Sequence, residues 1–456
     1  MEVMTNDLHL LLTDAQRRAE RYLTSLESRP VAPSAEAVAA LRAFDIPLQN
    51  EPIDASAVIA ELDDVGTPAT MAMPGPRFFG FVIGGSLPAA LAADWIASAW
   101  DQNTGLYQST PSTSHIEHVA LRWMLDLLGL PATCAGAFVT GTTVAHITAL
   151  AAARHAVLAK VGWDVEANGL FGAPSITVVV GAEAHPALHK ALGVVGFGRT
   201  RVIRVPTDEQ GRMRTSALPT VEGPAIICAQ VGNVNTGACD SLHDICDWAE
   251  RCGAWVHVDG AFGLWARVAP SRAHLVDGLE RADSWSTDGH KWLNVPYDSG
   301  IAFVRDGDAL RAAMAVTAEY LPTESPHRNP SDYTPELSRR ARGVPVWAAL
   351  RSLGRSGVAE LIEQNCRQAR EFAGHLKNVG FEILNDVVLN QVLVAFGEPE
   401  RTRRVIAAIQ ADGTMWAGET VWQGRTAMRI SVSGWMTSDD DVKRSVDAIV
   451  RVAASC

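Results

Sequence analysis

The sequence lacks closely spaced cysteines. No C-x-x-C pair is present, and the seven cysteines are scattered: Cys134, Cys228, Cys239, Cys246, Cys252, Cys366 and Cys456. An odd, unpatterned set of this kind indicates reduced thiols rather than a disulfide framework. The N-terminus also lacks a secretory pattern, because acidic residues break its apolar run. We therefore expect a cytoplasmic protein.

Basic clusters, nucleotide motifs and long apolar runs are missing too. With 39 basic against 51 acidic residues the net charge is -12, so we expect neither nucleic acid nor an anionic membrane as a partner. The chain has no G-x-x-x-x-G-K-[ST] loop and no well-placed G-x-G-x-x-G. The most apolar windows, residues 83–100 and 136–153, are interrupted by proline, aspartate, threonine or histidine, so neither is expected to span a bilayer.

The chain does contain an alternation of strand and helix patterns. Its 456 residues, 47% hydrophobic and 20% charged, suffice for a large domain and a smaller one. Continuous apolar segments alternating with helical ones indicate an α/β fold with a mainly parallel sheet covered on both faces. The segments predicted as strands are 138–139, 175–180, 201–205, 225–230, 254–258 and 301–304. Ligands of such sheets bind beyond the carboxyl ends of the strands.

Four regions are predicted along the chain. Residues 1–75 show helical patterns but are too short for a core of their own, so this arm is expected to lie across the main body or a partner subunit. Residues 76–318 form the large domain. Residues 319–345 are polar and proline-rich, which is typical of a functional lid or a linker. Residues 346–456 are expected to form a smaller α/β domain.

Lys291 and Asp259 are the strongest candidates for chemistry. Lys291 lies in a largely apolar run, where an ammonium group is usually paired, deprotonated or used covalently. Asp259 directly follows the predicted strand 254–258, so amine and carboxylate are expected to meet at one edge of one sheet. This pair suits pyridoxal phosphate, since the lysine can form the Schiff base and the carboxylate can keep the pyridine nitrogen protonated. Taken alone, Lys291 could be a solvated lysine at the end of a strand, and Asp259 could be a helix cap or a metal ligand.

Two further motifs fit that cofactor. Gly141, Thr142 and Thr143 follow a strand and open a helix, which can form a phosphate cradle or a plain glycine turn with a threonine cap. His185 could stack on a flat ring, or it could be an ordinary turn residue. With His189 it has the i, i+4 spacing of a metal pair, but Pro186 replaces the glutamate of the zincin motif, so no metal is expected.

The chain resembles the group II pyridoxal-phosphate-dependent amino acid decarboxylases, which include the aromatic amino acid, glutamate and diaminobutyrate decarboxylases. The resemblance covers roughly residue 76 to the C-terminus. Residues 257–261 (H-V-D-G-A) and 286–292 (S-T-D-G-H-K-W) carry most of it, and residues 232–240 and 429–433 add to it. It implies the type I fold of these enzymes, with a seven-stranded sheet in the large domain.

The resemblance also implies roles for individual residues. Lys291 would form the Schiff base and Asp259 would pair with the pyridinium. His185 and Ala261 would lie on opposite faces of the ring, and His290 beside the Schiff base. The phosphate site would comprise Gly141, Thr142, Thr143 and Val144, with Asn235 and Asp288 as further cofactor residues. The mobile catalytic loop would correspond to the proline-rich segment, and its proton-donating tyrosine to Tyr333.

Departures from the family pattern concern the cofactor and the substrate. Asp288 stands where relatives often have asparagine, and Val234 where they place a hydroxyl. The loop from Asp101 to Thr110, which in relatives enters the partner's substrate pocket, is polar here. Candidate substrate residues are Phe79, Phe81, Asn103 and Tyr107, while Arg77, Arg340 and Arg342 could bind an acidic side chain or be structural.

The expected reaction is decarboxylation of an L-amino acid to its amine in a homodimer with sites at the interface. Transamination, aldehyde formation and carbon–carbon cleavage remain alternatives, because small changes in substrate tilt select the bond that breaks. A non-catalytic relative would be expected to have lost Lys291 or Asp259.

Overall fold

A seven-stranded sheet forms the centre of the large domain in the computed structural model, which describes residues 8–316 and 327–456. Its strands are β1 (Ala135–Val139), β2 (Thr177–Gly181), β3 (Ile203–Val205), β4 (Ala225–Gln230), β5 (Trp255–Asp259), β6 (Ser284–Asp288) and β7 (Gly300–Val304). Their order is β1-β7-β6-β5-β4-β2-β3. Strand β7 runs antiparallel to both neighbours, and the remaining pairs are parallel. The mainly parallel sheet of the type I fold is confirmed.

Helices cover both faces of this sheet. Across the described ranges the helices are α1 (Leu8–Ser25), α2 (Ala35–Ala40), α3 (Ala55–Glu61), α4 (Pro88–Trp100), α5 (Pro111–Leu128), α6 (Thr142–Ala159), α7 (Val165–Asn168), α8 (Pro186–Val194), α9 (Leu242–Cys252), α10 (Gly307–Met314), α11 (Gly343–Asn378), α12 (Pro399–Asp412) and α13 (Asp439–Ser455). Successive strand side chains point to opposite faces, so Val179 packs in one apolar core and Val178 and Val180 in another. Continuous apolar strands therefore mark a sheet buried on both sides.

The C-terminal part contains a second, antiparallel sheet. Its strands are β8 (Glu382–Ile383), β9 (Gln391–Ala395), β10 (Gly418–Trp422) and β11 (Arg425–Ser431), in the order β10-β11-β9-β8. Helix α11 leads into this region and is interrupted at Gly354, which has φ 62°. The sequence pattern predicts two helices separated near this glycine. The domain boundaries themselves remain predictions.

The N-terminal arm consists of helical segments and is attached to the C-terminal part of the chain. The N–H of Val31 donates to the carbonyl oxygen of Gly413 at 2.8 Å, and the guanidinium of Arg77 donates to the carbonyl of Glu27 at 2.9 Å. Helix α1 buries none of its residues within the single chain. Among the described helices, none combines the length and apolarity that crossing a membrane requires.

Candidate active site

One cavity of about 320 Å³ lies beyond the carboxyl ends of β1, β4, β5 and β6. Most of the residues singled out from the sequence as cofactor-binding line it: Gly141, Thr142, Thr143, Val144, His185, Asp259, Ala261, Asp288, His290 and Lys291. These residues come from separate stretches of the chain, and the parallel strands deliver them to one edge of the sheet. The cavity therefore unites an amine, a carboxylate and a helix N-terminus.

Asp259 is the last residue of β5 and is buried. The backbone N–H of Ala261 donates to its Oδ1 at 3.2 Å. Burial alone would raise the pKa of this carboxyl, but the imidazole of His146, then His185 and Lys291, outweigh burial and hold the pKa below its ordinary value. Asp259 is therefore an anion, as a partner for a protonated pyridine nitrogen must be.

Lys291 is fixed by its neighbour in the turn that follows β6. Trp292 is fully buried, and its indole N–H donates to Oδ1 of Asn365 in α11 at 3.0 Å. A Cβ on Gly84 would lie 2.0 Å from the carbonyl oxygen of Lys291. The lack of a side chain at Gly84 therefore lets the loop before α4 pack directly against the backbone of Lys291. The lysine side chain remains 21% exposed and reaches the cavity.

The start of α6 has the geometry of an anion site. Its first N–H groups have no acceptor within the helix, and the helix dipole favours negative charge there. The hydroxyl of Thr142 is buried and has no hydrogen-bond partner among the described residues, at a cost of about 1–3 kcal/mol. A phosphate oxygen would satisfy it. Gly300 of β7 packs so closely that a Cβ there would lie 2.3 Å from Cα of Gly141.

His185 and Ala261 both line the cavity, as the resemblance implies. His185 caps α8, because its Nδ1 accepts the backbone N–H of Ala187 at 3.2 Å. Burial lowers the pKa of His185, so the ring is uncharged near neutral pH. A neutral, fixed imidazole suits stacking on a heterocycle, and that role stays a prediction.

His290 is the residue immediately before the lysine and is also held in place. Its Nδ1 accepts the N–H of Ser299 at 3.1 Å, and its ring stacks on Tyr297 with centroids 4.2 Å apart. Burial lowers the pKa of His290 as well. The two histidines thus present neutral rings to the cavity.

Two predicted residues do not line this cavity, and their assignments are corrected. Phe79 is 1% exposed and packs edge-on against Phe372 in the core of the C-terminal part, so it cannot contact a substrate. The side-chain oxygen of Asn235 instead accepts the hydroxyl of Thr420 at 2.8 Å. Val234, the preceding residue, lines the cavity in its place.

Three other predicted residues lie away from the cavity of their own chain. Asn103 accepts the backbone N–H of Arg339 at 2.9 Å, and Tyr107 stacks on His327 with centroids 3.9 Å apart. Tyr333 lies under the guanidinium of Arg328, 4.3 Å from the ring centroid. Part of the predicted mobile loop, residues 319–326, lies outside the described residues. Any contact of these three residues with a substrate would have to be made in a partner subunit.

The arginines considered for substrate binding are paired elsewhere. Arg77 forms an ion pair with Asp441 at 2.7 Å, Arg340 one with Asp94 at 2.7 Å, and Arg342 one with Asp298 at 2.6 Å, and none of them lines the cavity. Within residues 8–316 and 327–456, no group of three or more His, Cys, Asp or Glu side chains could hold a metal ion.

Sequence reasoning missed His146. This residue of α6 is fully buried, and its Nε2 lies 3.5 Å from Oδ2 of Asp259. One signal was available, because His146 follows Thr142 by four residues and so shares a helix face with the phosphate cradle. Gly300 and Gly84 left no such signal, since their roles depend on close approaches between distant segments.

Comparisons with known proteins identify the family of this chain. Residues 39–397 match the family model described as the pyridoxal-dependent decarboxylase conserved domain. Tryptophan decarboxylase 1 from Oryza sativa subsp. japonica is 28% identical over 94% of this chain and 90% of its own length. L-2,4-diaminobutyrate decarboxylase from Rhizobium meliloti (strain 1021) is 28% identical over 87% of this chain and 82% of its own.

A solved structure has the same fold over the whole chain. The crystal structure of Oryza sativa TDC with PLP and tryptamine superimposes with a TM-score of 0.91 at 25% identity, covering 100% of this chain and 99% of that one. Together with the family model, which spans more than half of the sequence, this confirms the resemblance drawn from the sequence motifs. The chain belongs to the pyridoxal-dependent decarboxylase family.

Proposed function

We propose that Lys291, Asp259 and His185, with residues 141–144, hold pyridoxal phosphate, and that this carboxy-lyase removes the α-carboxylate of an L-amino acid. Membership of the family establishes the cofactor and the reaction class. The observation that supports the residue assignments is the single cavity that Lys291 and Asp259 both line.

The described residues fit the cofactor group by group. Lys291 would bind the aldehyde carbon, and the ionised Asp259 would hold the proton of the pyridine nitrogen. The N–H of Thr142 donates to Asp288, so the later N–H groups of the first turn of α6 and the unpaired Thr142 hydroxyl would bind the phosphate. His185 and Ala261 would enclose the ring between them.

The bound cofactor acts as an electron sink for the bond at Cα that stands perpendicular to its ring. The protein orients the carboxylate into that position and keeps the ring nitrogen protonated through Asp259. The amine of Lys291 would exchange protons with the amino group of the incoming substrate and of the leaving product. Phe81, Val82 and Phe262 contribute apolar walls that limit water around the reacting carbon.

Tyr333 is proposed as the proton donor to Cα from a partner subunit, because it lies outside the cavity of its own chain. Tyr333→Phe should then shift the product from amine towards aldehyde. An unchanged product ratio would remove Tyr333 from the mechanism and leave only its contact with Arg328.

The substrate is proposed to have a side chain without negative charge. The cavity wall includes Asp259 and Asp288 but no arginine. An acidic side chain would therefore meet like charge, while Phe81 and Phe262 favour an apolar or aromatic group. Relatives named for tryptophan and diaminobutyrate are compatible with either a neutral or a basic substrate.

A homodimer is proposed from the exposed apolar residues of α4 and of helix α1 in the N-terminal arm. Trp95, Ile96 and Trp100 of α4 are exposed, as are several leucines of α1. Between these helices lies an apolar cavity of about 680 Å³. Contiguous exposed apolar surface of this kind marks an interaction site. Sedimentation velocity should show a dimer, and a fully active monomer would reject the proposal.

The seven cysteines are free thiols, as expected of the cytoplasmic location that we also propose.

Product analysis tests the proposed function directly. Purified, cofactor-loaded protein is incubated with a panel of L-amino acids, and products are identified by mass spectrometry against a Lys291→Ala control. We expect carbon dioxide and one amine from a substrate of neutral or basic side chain, and none from the control. Aldehyde or keto-acid products would assign one of the alternative reactions.

A further inference from the structure

A row of buried polar side chains ends at Asp259, and none of it lines the cavity. Nδ1 of His146 lies 2.9 Å from Nε2 of His257, and Nδ1 of His257 lies 2.9 Å from Oγ of Ser284. That hydroxyl accepts the indole N–H of Trp255 at 2.8 Å. We call His146, His257, Ser284 and Trp255 the histidine relay. Its members come from α6, β5 and β6, so the sheet itself fixes their spacing.

The relay meets Asp259 through the second nitrogen of His146. Nε2 is fully buried, has no hydrogen-bond partner within the described residues, and faces Oδ2 of Asp259 at 3.5 Å. The other oxygen, Oδ1, is occupied by the N–H of Ala261. A buried ring nitrogen beside a carboxylate is satisfied only if it carries a proton to donate.

One direction of the hydrogen bonds in the relay leaves a proton on Nε2 of His146, facing Asp259. The indole N–H of Trp255 can only donate, so Ser284 is free to donate its own proton to Nδ1 of His257. A neutral His257 then donates from Nε2 to Nδ1 of His146, and a neutral His146 is left with its proton on Nε2, facing Asp259. The reverse order would turn a lone pair of neutral His146 towards the carboxylate. Burial lowers the pKa of His257 to about 3, which keeps this ring neutral near pH 7.

We infer that His146 is a positioning residue for the cofactor's pyridine nitrogen: it donates from Nε2 to Asp259, and His257 and Ser284 hold it in the tautomer that can do so. This inference deepens the proposed function and rests on the proposed role of Asp259. The relay binds Oδ2 of Asp259 on the side away from the cavity, so that Asp259 keeps its charge and its orientation towards the cavity. Aligned donors of this kind reinforce one another.

Nitrogen NMR of the wild-type protein tests the tautomers without any cofactor. Full-length protein labelled with ¹⁵N-histidine is stripped of pyridoxal phosphate, and the imidazole nitrogens are assigned with His146→Gln and His257→Gln. We expect Nε2 of both relay histidines to carry a proton and Nδ1 of both to be bare. A bare Nε2 on His146, or a protonated Nδ1 on His257, would overturn the inference.

Binding titrations test the link to the pyridine nitrogen. The probes are pyridoxal phosphate and its 1-deaza analogue, in which carbon replaces the ring nitrogen. His146→Leu should weaken binding of pyridoxal phosphate about tenfold, the size expected for a lost hydrogen bond to a charged group. It should leave affinity for the deaza analogue within about twofold, because that probe makes no bond to Asp259. Equal loss for both probes, or no loss for either, contradicts the inference.

Further variants separate positioning from packing. His146→Gln retains a side-chain N–H and should recover part of the affinity for pyridoxal phosphate. Ser284→Ala, which does not touch Asp259, should weaken binding in the same direction by a smaller factor. Thr148→Val on the same helix removes a buried hydroxyl whose hydrogen bond, among the residues that the structure describes, is to the carbonyl of Val144, and should change neither affinity. If His146→Leu fails to fold, the Ser284 variant and the wild-type NMR spectrum still test whether His146 donates to Asp259.

The same experiments separate this inference from the proposed function. Wild-type protein that binds pyridoxal phosphate and releases an amine, yet shows a bare Nε2 on His146, rejects the inference alone. Wild-type protein that prefers neither probe would instead remove Asp259 from its proposed role.

Discussion

Nζ of Lys291 lies 2.9 Å from Oδ2 of Asp288. The other oxygen of this buried carboxylate accepts the first N–H of α6, that of Thr142, at 2.7 Å. Asp288 therefore caps the helix that forms the phosphate cradle and at the same time pairs with the lysine. The carboxylate of Asp288 therefore adds a negative charge at the place where a phosphate would bind.

Replacing Asp288 tests the two roles separately. Asp288→Asn keeps an oxygen for the N–H of Thr142 but removes the charge, so we expect tighter binding of pyridoxal phosphate because like-charge repulsion is lost. Asp288→Ala removes the cap as well and should lower the free energy of unfolding by about 1 kcal/mol. Cofactor titration and urea unfolding measure the two effects. Weaker cofactor binding by the asparagine variant would show that the charge supports the loaded site.

Gly300 supports the cradle through its lack of a side chain. Gly300→Ala would place a Cβ 2.3 Å from Cα of Gly141, so the loop before α6 must move. We expect cofactor affinity to fall at least tenfold, while Gly374→Ala, an exposed helical glycine with open space around it, should leave affinity unchanged. Isothermal titration with pyridoxal phosphate compares the two variants. Equal affinities would place the phosphate elsewhere.

Phe81 and Phe79 are two residues apart but differ in environment. Phe81 is 60% exposed and lines the cavity, whereas Phe79 is buried in the C-terminal core. Phe81→Ala should change KM and the ranking of amino acid substrates with little loss of stability. Phe79→Ala should lower the free energy of unfolding by about 3–5 kcal/mol and leave that ranking intact. Steady-state kinetics and urea unfolding distinguish them, and a reversed pattern would show that the cavity wall is assigned wrongly.

Strand ends were predictable from sequence, whereas side-chain directions in loops were not. Asp259, Lys291 and residues 141–144 converge because parallel strands terminate at a common edge, a rule that needs only the order of elements. Phe79 and Asn235 were misplaced because the C-terminal part of the chain packs against their loops and decides which neighbour faces inward. That packing is long-range, so Phe81 and Val234 could not be distinguished from them in advance.

The pH dependence of stability should report on His257. Burial lowers its pKa from an ordinary value of 6.5 to about 3, so between these values the unfolded chain binds a proton that the folded chain excludes. The free energy of unfolding should therefore fall as pH drops below 6.5, by about 1.4 kcal/mol per pH unit for this one proton.

His257→Gln provides the comparison, since it removes this titration. Urea unfolding between pH 7 and pH 5 should give a slope that is shallower by about one proton in the variant than in the wild type. His185 and His290, whose pKa values are also lowered by burial, contribute to both slopes equally. Identical slopes would mean that His257 is protonated or solvated in the folded protein.

Peptide mapping after borohydride reduction tests the central assignment most directly. Reduction makes an imine bond between a lysine and the cofactor's aldehyde permanent, and mass spectrometry of the digest then locates the modified residue. We predict the pyridoxyl group on the peptide that contains Lys291 and on no other lysine. Its attachment to another lysine, with Lys291 unmodified, would contradict the site described for this protein.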